Sequence, residues 1–168
     1  MRELPSHLRA KVDFVPHGPY TLADVDARRM SIKCELPPNI DAIGAVFPHV
    51  RRECSHRGVY FCYGNSIYNP SGLPLPVELI AHECIHSLQQ RDIGVEKWWD
   101  RYLAAKDFRL EQELEAHRVE YEKYALDHPA RPFRRRYLAM CAGRLSGPLY
   151  GHMIRKDEAR RLIQGRNQ

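Results

Sequence analysis

Residues 74–94 read PLPVELIAHECIHSLQQRDIG. Val77, Ile80, Ala81, Cys84, Ile85 and Leu88 recur at three- and four-residue spacing, which predicts a helix over Val77–Gln90. Pro74 and Pro76 suit its first turn and Gly94 its stop. Inside it stands His82-Glu83-Cys84-Ile85-His86, the pattern H-E-x-x-H. Residues four apart on a helix differ by about 40° around the axis, so the two imidazoles share a face and can hold one metal ion. Glu83 sits about 100° from His82, close enough to handle a water activated by that ion without filling a ligand position. This points to metal-assisted hydrolysis, with His82 and His86 as ligands and Glu83 as general base. The plainer reading is a helix with two surface histidines and a solvated glutamate.

The flanks extend the pattern. Upstream, Gly58–Asn69 reads GVYFCYGNSIYN, strand formers on either side of a Gly64-Asn65 turn. Ser31–Leu36 is a further strand candidate, stopped by Pro37-Pro38, and Thr21 can cap a helix over Leu22–Arg29. Asp41–His49 gives no clear signal. Downstream, helices are predicted at Glu96–Ala105, about Phe108–Leu126, about Arg134–Arg144 and about His152–Ile163. Strands first and helices after make an α+β pattern.

A catalytic zinc takes a third protein ligand and keeps one position open. The Phe108–Leu126 segment offers Glu111, Glu113, Glu115, His117 and Glu120. Its apolar stripe runs through Leu110, Leu114, Tyr121 and Tyr124, with Ala125 beside it. His117 falls inside that stripe, Glu113 at its edge with Glu120 close by, and Glu111 and Glu115 point away. Glu113 is therefore favoured and His117 is second.

These residues resemble the zincin metallopeptidases, in the subgroup that uses a glutamate ligand. The resemblance implies a minimal zincin-like fold: a small, mostly antiparallel sheet packed on the H-E-x-x-H helix, with a helical C-terminal half. It implies one Zn2+ per chain, peptide or protein substrates, and a ligand glutamate on a later helix. In several such families that glutamate opens E-x-x-A followed by Asp or Asn. Glu113-Leu114-Glu115-Ala116 matches E-x-x-A, with His117 in the Asp/Asn place. Other zincins place Ala directly after the ligand, which selects Glu115. From Gly64 to Arg118 the chain also looks like small uncharacterised bacterial and phage-encoded metallopeptidases. By the same resemblance Ser66–Asn69 is an edge strand that pairs with extended substrate.

Composition sets outer bounds. The chain has 168 residues, 43% hydrophobic and 28% charged, which suits one domain. Its expected parts are a strand-containing 1–73, the metal-site helices 74–128 and a basic helical 129–168. No apolar run approaches a membrane span, and Met1–Lys11 has no apolar core of a signal peptide. Five cysteines without paired spacing suggest a reducing, cytoplasmic setting. The net charge of +5 is uneven. Residues 129–168 hold ten Lys and Arg against two Asp and Glu, whereas residues 1–128 hold 16 against 19. That basic end motivates a second class of function, a non-catalytic zinc-containing module that binds nucleic acid or an acidic partner.

Other residues have plainer readings. Cys84 suits the core, Gln89 and Gln90 solvent, and at least one of Trp98 and Trp99 the core. Tyr121 and His152 are candidates to stabilise an oxyanion. His7, His17, His49, His56 and His128 have no metal-ligand spacing, and a finger built from His49, Cys54, His56 and Cys62 has no familiar order.

Overall fold

A computed structural model describes residues 19–165. The expected lack of a signal peptide at Met1–Lys11, and His7 and His17, lie outside the described residues. Thr21 and Asp24 form the capping box, but the expected helix is two 3-10 turns, Leu22–Asp24 and Ala27–Arg29. Then come β1 (Ser31–Lys33), α1 (Ile40–Val46), α2 (Pro48–Glu53), β2 (Phe61–Tyr63) and β3 (Ser66–Tyr68). Five helices follow: α3 (Val77–Ile93), α4 (Val95–Ala104), α5 (Lys106–Asp127), α6 (Arg131–Ser146) and α7 (Lys156–Ile163). The class is α+β, with the sheet packed on α3 and a helical C-terminal half.

The sheet is mixed. β2 and β3 pair antiparallel around Gly64-Asn65, where Gly64 supplies the positive φ of 60° that the tight turn needs. β1 adds in parallel on the other side of β3, pairing Ile32 with Ile67. The strand order is thus β1-β3-β2, and β3 is central. This corrects the expectation that Ser66–Asn69 is the edge strand. β1 covers the edge of β3, and β2 with the residues before it faces the site.

The unclear Asp41–His49 stretch is helical. Ile40, Ile43, Phe47 and Val50 stand at spacings of three, four and three, and all four are buried in one cluster with α4 and β2. Pro48 opens α2 in its first turn, where its missing N–H costs nothing. α6 likewise starts three residues earlier than expected, with Pro132 in its first turn. α7 starts later, because Gly151 and His152 both take positive φ and break the helix between Gly147 and Lys156.

Helix α3 lies between the sheet and α5. Its middle is buried all round, from Ala81 to Ser87 and again at Gln89 and Gln90. A helix with so many buried polar groups needs partners for each of them. Gln90, expected in solvent, is fully buried: its Oε1 accepts from Gly64 N at 2.8 Å and its Nε2 donates to the Cys62 carbonyl at 2.9 Å. It ties α3 to the hairpin. Cys84 is buried as expected, and both Trp98 and Trp99 are buried in the aromatic cluster of α4.

Candidate metal centre

Helix α3 presents His82 and His86 on one face, and α5 packs against that face. The two Nε2 atoms are 3.1 Å apart. Glu113 of α5 places its carboxylate oxygens 3.5 Å from His82 Nε2 and 3.4 Å from His86 Nε2. A tetrahedral ion with bonds of about 2.0–2.1 Å needs donor atoms roughly 3.3–3.4 Å apart. All three residues are at least 95% buried, at 3%, 5% and 2% exposure. Glu113 Oε2 is buried with no hydrogen-bond partner, which a metal ion at this point would resolve. The donor set therefore fits a divalent cation, in the zincin arrangement of H-E-x-x-H plus glutamate.

The surroundings orient each donor. Gln89 Nε2 donates to the Gln112 carbonyl at 3.1 Å and to Glu115 Oε2 at 2.8 Å. Its Oε1 must then face His86, whose Nδ1 donates to it at 2.8 Å, leaving Nε2 for the metal. Gln89, expected in solvent, is thus a buried support of the site. Glu115 belongs to the same support: its Oε1 accepts from Tyr20 N at 2.7 Å, on the side of α5 away from the histidine pair. Glu113 Oε1 accepts from the Tyr102 hydroxyl at 2.6 Å. Trp98 stacks on Tyr102, packs against His86, and donates from Nε1 to Gln112 at 2.8 Å.

Glu120 is the residue whose part sequence reasoning missed. Its Oε2 accepts from His82 Nδ1 at 2.9 Å and from His117 Nδ1 at 2.8 Å. Its Oε1 accepts from the Tyr137 hydroxyl at 2.7 Å and from Arg144. His117 replaces the usual Asp or Asn of the resemblance, so the supporting carboxylate comes from one turn later on α5. The available signal was helical spacing, since Glu120 is seven residues after Glu113 and on nearly the same face. His82, His117 and Glu120 also cluster closely enough to suggest a metal set. Their 2.8–2.9 Å separations are hydrogen-bond lengths, and Arg144 already supplies the positive charge, so we read them as a network.

Electrostatics follow from burial and these partners. Burial pushes the Glu83 carboxyl up, with His82 and His86 opposing. Burial would also raise Glu113, but His86 and His82 outweigh it and hold the carboxyl well below its usual range. Burial lowers His117 to about 4 against the pull of Glu120, so its ring is neutral. Glu83 is 95% buried, has no hydrogen-bond partner among the described residues, and lines a half-enclosed cavity together with His82, His86 and Glu113.

Other expected residues lie elsewhere. Tyr121 packs against the α5–α6–α7 cluster, and His152 is exposed with Nδ1 on the Ser146 carbonyl at 3.0 Å. Neither lines the cavity, whereas Tyr150 and Arg144 do. His49, Cys54, His56 and Cys62 form no metal cluster among the described residues. No helix among those residues is long and apolar enough to cross a membrane. No protein-family model, no curated protein and no solved structure matches the chain.

Proposed function

We propose that the chain is a zinc-dependent metallopeptidase in which His82, His86 and Glu113 hold one Zn2+ and Glu83 is the general base. The observation that carries this reading is a cluster of buried donor atoms: the His82 and His86 Nε2 atoms 3.1 Å apart, with Glu113 Oε2 3.5 Å from the first and Glu113 Oε1 3.4 Å from the second. Zinc suits a two-imidazole, one-carboxylate set, and when bound it supplies Lewis-acid activation of a carbonyl and of a water. The remaining work falls to the chain. Glu120 and Gln89 hold the Nδ1–H groups of His82 and His86, so both Nε2 atoms face the centre. Tyr102 fixes the rotation of the Glu113 carboxylate. Glu83 takes a proton from the attacking water as the C–O bond forms, and returns it to the leaving amine as the C–N bond breaks. Its raised pKa, caused by burial, strengthens it as a base near neutral pH. The outer edge of β2, not β3, is placed to align an extended peptide, since residues 58–62 line the cavity.

We place the chain in a reducing, cytoplasmic compartment, in line with five unpaired cysteines, and read it as bacterial or phage-encoded. We also treat 1–168 as one unit, with 74–128 carrying the site. The test is Glu83→Gln. It should keep one zinc per chain and lower peptide turnover by about 100-fold or more. Unchanged turnover would remove Glu83 from the mechanism.

A second reading has one observation in its favour. Arg131, Arg135, Arg136 and Arg160 line a surface cleft and make no ion pair among the described residues. That cleft suits nucleic acid or an acidic protein. Salt-dependent DNA or RNA binding by a protein that cleaves no peptide would favour a binding module over an enzyme.

A further inference from the structure

The cavity beside the candidate centre is lined by two kinds of residue. Some are apolar: Ile43, Phe47 and Val50 of α1 and α2, Val59 and Phe61 before and within β2, and Leu103 of α4. Others are polar, among them Arg144 of α6 and Tyr150 of the Pro148–Tyr150 turn.

Among the described residues, Arg144 is the only Lys or Arg lining this cavity. Its Nη2 is committed to Glu120 and to Cys141 Sγ. Its Nε is buried with no partner among the described residues, and its Nη1 has none among them either. Among the described residues the Tyr150 hydroxyl makes no hydrogen bond, and the indole N–H of Trp99, a 93% buried residue that also lines the cavity, has no partner. Apart from the metal-centre residues His82, Glu83, His86 and Glu113, then, the unspent side-chain polar groups of this cavity among the described residues can all donate. Buried donors beside a half-neutralised guanidinium fit an anion with several lone pairs, and a carboxylate is the planar anion that guanidinium groups match best.

Resting on the peptidase reading, we propose that Arg144 and Tyr150 recognise the free terminal carboxylate of a peptide whose last residue is apolar. The aliphatic and aromatic lining residues take that residue's side chain. The enclosing elements α1, α2, β2, α4 and the 148–150 turn favour a chain end over a segment passing through. The substrate class is short peptides or C-terminal residues, with release of an apolar amino acid.

The experiment uses metal-loaded Glu83→Gln protein and calorimetric binding of N-acetyl-Ala-Leu as the free acid and as the C-terminal amide. The acid should bind at least tenfold tighter than the amide. Tyr150→Phe and Arg144→Lys, each checked for zinc content and cooperative melting, should cut that preference. The preference should persist when the metal is removed. Equal binding of acid and amide, or binding of neither, overturns the proposal. So does a preference that vanishes with the metal and survives both variants, since the carboxylate then simply ligates the ion. An amide ending in Glu that binds as well as the acid moves recognition to a side-chain carboxylate and also overturns it. A native protein that takes up no zinc fails the peptidase reading instead, so the two failures are separable.

Discussion

At the scale of single residues, the site depends on which carboxylate of α5 meets the histidines. Glu113 and Glu115 are two residues apart and therefore about 160° apart on the helix. Only Glu113 reaches both Nε2 atoms, while Glu115 takes hydrogen bonds from Tyr20 and Gln89. Glu113→Ala should abolish stoichiometric zinc binding. Glu115→Ala should keep it and weaken it by about 10–100-fold, as loss of a supporting shell does. Metal analysis after dialysis separates the two, and the reverse order would make Glu115 the ligand. That His82, His86 and Glu113 come together, with Glu83 beside them, was legible in the sequence, because spacing along a helix determines direction. Glu120 and Gln89 were not, because their parts depend on how α6 and α5 approach α3. Gln89 in particular has the composition of a solvent-facing residue and is buried only because Gln112 and Glu115 lie opposite it.

At the scale of elements, α3 owes its position to polar bonds as well as to apolar packing. Gln90 joins Gly64 N and the Cys62 carbonyl, so the hairpin and the site helix are one unit. Gln90→Ala leaves both backbone groups without that partner and should cost about 1–3 kcal/mol. Denaturant unfolding measures this, and a change near zero would mean that the hairpin docks by Ile67 and Cys62 alone. The hairpin itself was readable from Gly64-Asn65 between β-branched and aromatic residues. The place of β3 in the middle of the sheet was not, since β1 joins it in parallel from more than 30 residues away and local sequence carries no trace of that pairing. In α1 and α2 the apolar spacing was present, but Gly44 and Pro48 masked it. Pro48 turned out to start a helix rather than prevent one.

At the scale of the whole molecule, the basic C-terminal part is not a separate appendage. Arg144, Tyr137 and Cys141 of α6 all reach Glu120, and Tyr150 lines the cavity. The charge split read from the sequence is real, yet one of those arginines is built into the support of the candidate centre. The same electrostatics governs metal uptake. Burial alone would lower His82, but hydrogen bonds and charge from Glu113 and Glu120 outweigh it and raise the imidazole to about 10 in the metal-free protein. That proton stabilises the metal-free fold fully below about pH 6.5, and the contribution is lost as pH rises through the folded value. Zinc has to displace it. Uptake at pH 7 should therefore release a proton, and apparent affinity should weaken in acid. Calorimetry in two buffers of different ionisation heat measures the release, and heats that do not depend on the buffer would contradict it. Zinc bound to the folded state alone should also raise the melting temperature, by about 2.7 kcal/mol of stability at a free concentration 100 times Kd.

The claim beneath all of these is that one metal ion sits between His82, His86 and Glu113. Anomalous diffraction at the zinc edge, from crystals of the zinc-loaded protein, tests it most directly. The account predicts a single peak about 2.0–2.2 Å from the Nε2 atoms of His82 and His86 and from a Glu113 oxygen, with one position facing the cavity. A peak absent from this triangle, or one ligated by Glu115 or His117 in place of Glu113, would contradict it.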